Sequence, residues 1–333
     1  MTAVATHSLT KDFGDVRALD SLDLEIPIGS IFGVIGPNGA GKTTLMRLLI
    51  DILRPTSGHA VVLGEDPRTA GPELRARIGY LPGELHLEGR LTGRRQVDFW
   101  ASLGDDPASA RDIAHSLAER LELDLGRQSR TLSKGNKQKL GLVQAFMHRP
   151  ELLILDEPTS GLDPLVQQEV LAIVREARDA GATVFLSSHV LSEVEAVADT
   201  AALLRTGRIA TVAPMAELRA TAVRHLRAVL DGTSVREIRA AFSFRGLAFT
   251  LDDLGDGEVA VTGMVEGRAD DVVKGLAGFH LVDLVYAEPD LEETVLHLYR
   301  GPDAGAETPT TPTTPTSPPT PTSPPATDEE EAR

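Results

Sequence analysis

Three groups of residues in this 333-residue chain have types and spacing suited to chemistry. The first is Gly36-Pro37-Asn38-Gly39-Ala40-Gly41-Lys42-Thr43, followed by Thr44, with the spacing G-x-x-x-x-G-K-T. Glycines in such a loop let successive backbone N–H groups turn inward around phosphate oxygens, and a helix starting there adds positive potential. A lysine at the place of Lys42 neutralises β and γ phosphates, and the Thr43 hydroxyl is a ligand for Mg²⁺. The second group is Asp156-Glu157, two acids closing an apolar run. Beside a triphosphate, Asp156 would hold Mg²⁺ through water and Glu157 would polarise an attacking water as general base. The same two acids could instead cap the turn after a strand. The third is His189, which follows Ser187-Ser188 and a further apolar run. A lone histidine is more often structural, but a strand next to that of Asp156 would bring this one near the γ-phosphate.

These residues need strands and helices to position them. Ser30–Ile35, Leu152–Leu155 and Thr183–Leu186 are continuous apolar runs, the pattern of strands buried on both faces. An apolar helix is expected from Leu45 to Leu53, directly after the phosphate loop. Short apolar runs alternate with helical patterns from about Val4 to Glu217, which predicts an α/β unit with a mainly parallel sheet. From Leu226 the rhythm changes. Strands are expected at Leu226–Leu230, Ala248–Asp252, Glu258–Met264 and Leu281–Tyr286, and helices at Ser234–Ala241 and Arg268–Leu276. That βαββαβ order predicts a small ferredoxin-like α+β unit, with one more helix at Leu291–Tyr299. Beyond Gly301 the chain is almost all Thr, Pro and Ser and closes on Asp328-Glu329-Glu330-Glu331, a composition expected to stay disordered and extended.

Bulk composition narrows the function classes. A hydrophobic share of 41% and a charged share of 25% are those of a globular protein. A net charge of −16 argues against a general nucleic-acid surface, and no nucleic-acid partner is expected. Only part of that charge is tail, where six acids and one base lie between Gly301 and Arg333. No cysteine is present, so neither a disulfide nor a thiolate metal site is available. No apolar run approaches the roughly 20 residues needed to span a bilayer, and the N-terminus has no signal pattern. A cytosolic chain is expected, unless another chain recruits it to a membrane.

Along the sequence the phosphate loop is followed by Leu132-Ser133-Lys134-Gly135-Asn136, then Asp156-Glu157, then Ser160-Gly161-Leu162-Asp163, then His189. On this succession the stretch from about Val4 to Glu217 resembles the nucleotide-binding subunit of ABC transporters. The five groups match, in order, the family's Walker A, signature, Walker B, D-loop and switch histidine. The resemblance implies a P-loop NTPase cassette over residues 1–220, with a mixed sheet and a helical subdomain at about 85–145. Residues 225–300 would form the accessory unit and 301–333 the acidic Thr/Pro-rich tail. It also implies ATP and Mg²⁺ as cofactors and a head-to-tail dimer, with itself or a homologous subunit, closed over two ATP molecules. Gly36 to Thr44 of one copy would grip each nucleotide, while Ser133, Lys134 and Gly135 of the other would face its γ-phosphate. Asp163 would lie at the seam, and Phe13, in Lys11-Asp12-Phe13-Gly14, would stack on adenine; the lesser alternative for Phe13 is a core aromatic.

Two departures from the family pattern stand out. Lys134 and Asn136 replace a Gly and the Gln of the usual Leu-Ser-Gly-Gly-Gln, and three of the chain's six lysines, Lys134, Lys137 and Lys139, fall here. In Ile78-Gly79-Tyr80-Leu81-Pro82-Gly83-Glu84 the family's Gln position is Gly83, so either Glu84 or water must take its place. The variant motifs, and the run Asp290–Tyr299, are similar to the drug-exporter subgroup related to antibiotic-resistance ATPases. That subgroup implies an ATPase motor on the cytoplasmic face of the membrane, driving a separate permease. A rival reading is an ABC ATPase acting on ribosomes or DNA; such proteins usually carry tandem cassettes or a coiled coil, and neither is legible here.

Overall fold

The computed structural model describes residues 1–217, 224–241, 247–265 and 269–287. Its first sheet is antiparallel, in the order β2-β1-β4, built from β1 (Thr2–Phe13), β2 (Val16–Pro27) and β4 (Ser57–Val62). Gly14, at φ +58°, opens the two-residue turn joining β1 to β2. In β2, buried Leu22, Leu24 and Ile26 alternate with exposed Ser21, Asp23 and Glu25, the period of a sheet with one wet face.

The central sheet has the order β5-β6-β7-β3-β8-β9. Its strands are β3 (Ile31–Ile35), β5 (Ile78–Leu81), β6 (Leu152–Asp156), β7 (Thr183–Ser188), β8 (Thr200–Arg205) and β9 (Arg208–Pro214). All neighbours pair in parallel except β8 and β9. Every residue of β3, β6 and β7 is buried, because both faces are covered. Leu153 and Leu155 face one core together with helical residues such as Leu140, Val143 and Val170. Leu152 and Ile154 face the other, with Phe32, Phe185, Leu45 and the antiparallel sheet.

Helix α1 runs Lys42–Leu49, three residues earlier at its start than the sequence pattern predicts and four earlier at its end. The phosphate loop feeds directly into it, and Asp51, at φ +58°, stops it before Leu53. The strands of Asp156 and His189 extend further than their apolar runs, because Asp156 and Ser187-Ser188 continue the ladder. The remaining helices of this part are α2 (Gly71–Ala76), α3 (Gly93–Ala101), α4 (Pro107–Arg120), α5 (Lys134–Phe146), α6 (Pro164–Asp179) and α7 (Leu191–Val197). Four of them start on a side-chain cap: Thr92, Asp106, Ser133 and Asp163 each accept from the backbone N–H three residues on.

A separate four-stranded sheet follows, from β10 (Arg224–Asp231), β11 (Leu247–Gly255), β12 (Glu258–Val265) and β13 (His280–Ala287). Its order β11-β12-β10-β13 is antiparallel throughout, the ferredoxin-like arrangement. Helices α8 (Val235–Ala241) and α9 (Ala269–Leu276) join these strands, and Ile238, Val272 and Leu276 pack on Leu226, Ala228, Leu230, Val259 and Val261. The helix expected at Leu291–Tyr299 and the tail from Gly301 lie outside the described residues. No helix among the described residues is long and apolar enough to cross a membrane.

Candidate active site

The loop between β3 and α1 is held against its neighbours so closely that two of its glycines, Gly36 and Gly41, cannot be replaced cheaply. A Cβ at Gly36 would stand 2.3 Å from the Leu204 carbonyl, and one at Gly41, which sits at φ +112°, 2.7 Å from that of Ala18. Gly207 donates its N–H to the Ala40 carbonyl at 3.0 Å, tying the loop to the β8–β9 turn. Pro37, Asn38 and Gly39 form the accessible rim, while Gly36, Ala40 and Lys42 are buried.

Lys42 is 5% exposed, and its Nζ donates to the carbonyls of Gly36 at 2.6 Å and Pro37 at 3.3 Å. It also lies 3.7 Å from Glu157 Oε1. Burial pulls the ammonium's pKa below the usual lysine value, with the carboxylates of Glu157 and Asp156 working the other way. An incoming anionic phosphate would act in the same direction as those carboxylates and favour the charged form.

Thr43 and Asp156 meet directly, the Thr43 hydroxyl donating to Asp156 Oδ2 at 2.6 Å. Asp156 Oδ1 accepts from Ser187 Oγ, also at 2.6 Å, across the β6–β7 ladder that pairs the two residues. Among the described residues there is no group of three or more His, Cys, Asp or Glu side chains able to hold a metal alone. One carboxylate beside one hydroxyl fits Mg²⁺, which usually takes one or two carboxylates and completes its shell with phosphate and water.

Glu157 continues the strand into a turn with its backbone in the left-handed region, at φ +50°. Its carboxylate Oε1 lies 3.2 Å from His189 Nδ1, between that ring and Lys42. His189 is half exposed and sits between β7 and α7. Among the described residues neither carboxylate accepts from a helix N–H, so the two acids do not act as helix caps, and a carboxylate in this setting can accept a proton from water. Phe13 is not in the core. It is 47% exposed at the β1–β2 tip, pairs with Val16, and has the Lys11 ammonium 4.9 Å from its ring centroid. Gly41 packs against Ala18, two residues from Val16 on β2, so the hairpin that carries Phe13 lies against the phosphate loop.

The remaining sequence-predicted residues group around the start of α5 rather than with the phosphate loop. Ser133 is exposed and caps α5, accepting from Asn136 N–H at 3.2 Å. A Cβ at Gly135 would stand 2.8 Å from the Gly161 carbonyl, and the Lys134 stem runs along Gly161. Asp163 is exposed and caps α6 by accepting from Val166 N–H at 3.1 Å. The lysine cluster divides: Lys134 is exposed, whereas Lys139 is only 8% exposed and adds little to a surface field. Gly83 lies against Asp156, with a built Cβ 3.1 Å from Oδ2, while Glu84 is exposed.

Ser187 and Gln138 escaped the sequence reading. Ser187 has only its place on a strand next to that of Asp156 as a signal. Gln138 has none, because its donation to the carbonyls of Glu157 at 3.0 Å and Pro158 at 3.3 Å depends on tertiary packing.

Comparison with known proteins bears on the site as a whole. A family model described as ABC transporter matches residues 19–160. The chain is 37% identical over 305 residues to the daunorubicin resistance ATP-binding protein DrrA3 of Streptomyces coeruleorubidus, covering 89% of this chain and 96% of that one. It is 36% identical to the bacitracin transport ATP-binding protein BcrA of Bacillus licheniformis, over 66% of this chain and 72% of the relative. Among solved structures, an ATP-binding subunit of an ABC transporter superposes with a TM-score of 0.62 at 28% identity, covering 66% of this chain and 92% of that one. A bacterial Atm1-family ABC exporter with ATP bound gives 0.58 at 25% identity, over 65% of this chain and 39% of the exporter. The phosphate loop beside paired acids, and an alignment running nearly the length of a relative, place this chain in the ABC transporter ATP-binding family, as an ATPase.

Proposed function

We propose that this chain is the motor subunit of an exporter of the drug and antibiotic class. The observation that carries the motor chemistry is the Glu157 carboxylate standing between Lys42 and His189, one residue from the Thr43–Asp156 pair, and the drug and antibiotic class rests on the DrrA3 and BcrA relatives. With ATP seated, the Lys42 ammonium would turn from the Gly36 carbonyl to the β and γ phosphates, and the loop's N–H groups would cradle them. Thr43 and Asp156 would hold Mg²⁺, which supplies charge neutralisation to the phosphates when bound. Glu157 takes a proton from the water that attacks the γ-phosphorus, the bond to the β-phosphate oxygen breaks, and ADP leaves. His189 orients Glu157 and reaches the γ-phosphate. Phe13 offers its open ring face to adenine.

In this reading the γ-phosphate is completed by a second copy or a homologous subunit, through Ser133, Lys134 and Gly135. Exposed Leu165, beside Asp163 at the start of α6, supports a protein neighbour at that seam. Residues 1–220 form the motor, 225–300 an accessory unit and 301–333 a tail. A separate permease holds the chain peripherally at the cytoplasmic face of the membrane. Its docking place is the segment Gly83 to Arg95, next to which Phe99 on α3 and Leu103 in the turn after it are exposed. The rival role on ribosomes or DNA is not favoured, because the two drug-related relatives align over most of this chain and the charge is strongly negative.

The test is Glu157→Gln. It should bind ATP, accumulate as an ATP-dependent dimer in size-exclusion chromatography and lose hydrolysis; wild-type turnover would end the assignment of Glu157 as base. Purifying the chain from membranes should bring an integral membrane partner with it, and recovery with ribosomes instead would overturn the exporter role.

A further inference from the structure

Glu157 is the residue on which the proposed hydrolysis turns, and its backbone is in a conformation that a glutamate does not adopt by preference. At φ +50° its Cβ crowds the following carbonyl, a strain glycine escapes and asparagine tolerates. Such a conformation persists only where the surroundings over-determine it. Two side chains do so here. The Glu157 N–H donates to Ser187 Oγ at 3.0 Å, and the Glu157 carbonyl accepts from Gln138 Nε2 at 3.0 Å. Gln138 also donates to the Pro158 carbonyl at 3.3 Å, fixing the peptide that follows.

The two partners differ in what else they do. Ser187 also donates to Asp156, so it belongs to the proposed metal side of the site as well. Gln138 is 5% exposed, and among the described residues its side chain hydrogen-bonds only to the backbone of this turn. It sits on α5, five residues after Ser133 and roughly 7 Å along the helix axis from that cap. The start of the same helix packs on the turn again at Gly135 and Gly161. A shift of α5 therefore reaches the Glu157 carbonyl through one side chain.

We propose that Gln138 is a positioning residue for the general base, holding the Glu157 backbone left-handed so that its carboxylate faces the nucleotide. The proposal rests on the assignment of Glu157 as base. Released from Gln138, the peptide can relax toward negative φ, which swings the side chain away from His189 and Lys42 while leaving the phosphate loop untouched.

The experiment is steady-state ATPase on the full chain, with nucleotide affinity measured separately by a fluorescent ATP analogue. Gln138→Met keeps the volume and removes the donor; Gln138→Asn keeps an amide but is one methylene too short, and serves if the first folds poorly. Either should lower kcat about tenfold with KM and analogue affinity within about twofold, the pattern of an interaction that counts in the transition state. Gln138→His, which restores an N–H donor, should recover part of the loss. Wild-type kcat in both first variants overturns the proposal, as does a loss of kcat matched by an equal loss of analogue affinity, which marks general damage. Glu157→Gln measured alongside separates the two claims: if it hydrolyses normally the base is misassigned, whereas an inactive Glu157→Gln beside a fully active Gln138→Met removes only Gln138.

Discussion

Replacing Gly135 by alanine sets two effects of known sign against each other. Gly135 is in the first turn of α5, and its φ is not positive, so alanine meets no backbone penalty there. Helix propensity favours the change by up to about 1 kcal/mol. Packing opposes it. The added methyl would stand 2.8 Å from the Gly161 carbonyl oxygen and 3.7 Å from Leu162 Cδ2, where relaxed contacts between heavy atoms lie at roughly 3.5–4.0 Å. The Gly161 loop is poorly placed to yield. Gln138 holds its start, Gln167 donates to the Leu162 carbonyl at 3.1 Å, and Asp163 is committed to capping α6. Overpacking of this kind costs about 1–3 kcal/mol. The net expectation is destabilisation of about 1–2 kcal/mol, which lowers the melting temperature by roughly 2–8 °C in a unit of this size. Differential scanning calorimetry reads that directly. Because α5 must move instead of the loop, Ser133 and the helix-start N–H groups shift too. ATPase activity should therefore fall several-fold while a fluorescent nucleotide still binds the isolated chain at the phosphate loop. A variant that melts higher than wild type with full activity would show that propensity wins, that α5 and the Gly161 loop are not locked, and that the reasoning is wrong.

Two further perturbations test other parts of the structure. Phe13→Ala removes the proposed adenine platform; stacking worth about 0.5–1.5 kcal/mol predicts a KM for ATP raised roughly two- to twelve-fold, with kcat unchanged at saturation and no loss of melting temperature, since the ring is half exposed. Arg120→Met cuts the pairs with Glu169 and Glu176 that tie α4 to α6. The Arg120 hydrogen bond holds the Glu176 carboxyl below its usual pKa, so this stabilisation is present above the ordinary carboxylate range and is lost as pH falls through the lowered value. With Glu176 exposed and Glu169 partly covered, the loss at neutral pH should be about 1 kcal/mol, and thermal melts of variant and wild type should converge on acidification.

What the sequence discloses and what it hides follow one physical division. A phosphate loop is a local object: the glycines, the lysine and the hydroxyl sit within eight successive residues, and their backbone turns carry the chemistry wherever the loop is placed. Buried strands are local too, so β3, β6 and β7 are legible within two residues at each end, and the accessory unit's order of strands and helices can be read from alternation and period alone. Helix ends are set by single residues with unusual φ, which is why Asp51 ends α1 sooner than its apolar pattern does. Contacts between elements have no such signature. That Ser187 faces Asp156 follows only from the β6–β7 register, and that Gln138 reaches Glu157 follows only from how α5 lies on the turn.

Gly83 shows how a departure that is opaque in sequence becomes interpretable in three dimensions. As a motif position it is simply a missing side chain, with Glu84 or water as substitutes. In the fold its Cα lies close enough to Asp156 that even a Cβ would stand 3.1 Å from the carboxylate oxygen that accepts from Thr43. A longer side chain at this position would have to turn away from Asp156 or push the strand end back. Glu84 is exposed, so it contributes charge near the site without a fixed geometry. The Gly83 side of the Asp156 carboxylate is therefore lined by backbone, while the Thr43 and Ser187 hydroxyls hold its two oxygens. The contacts that fix Glu157, the proposed general base, come from Ser187, Gln138, His189 and Lys42. If Glu157 is the base, its orientation would rest on these four side chains, with none needed from position 83.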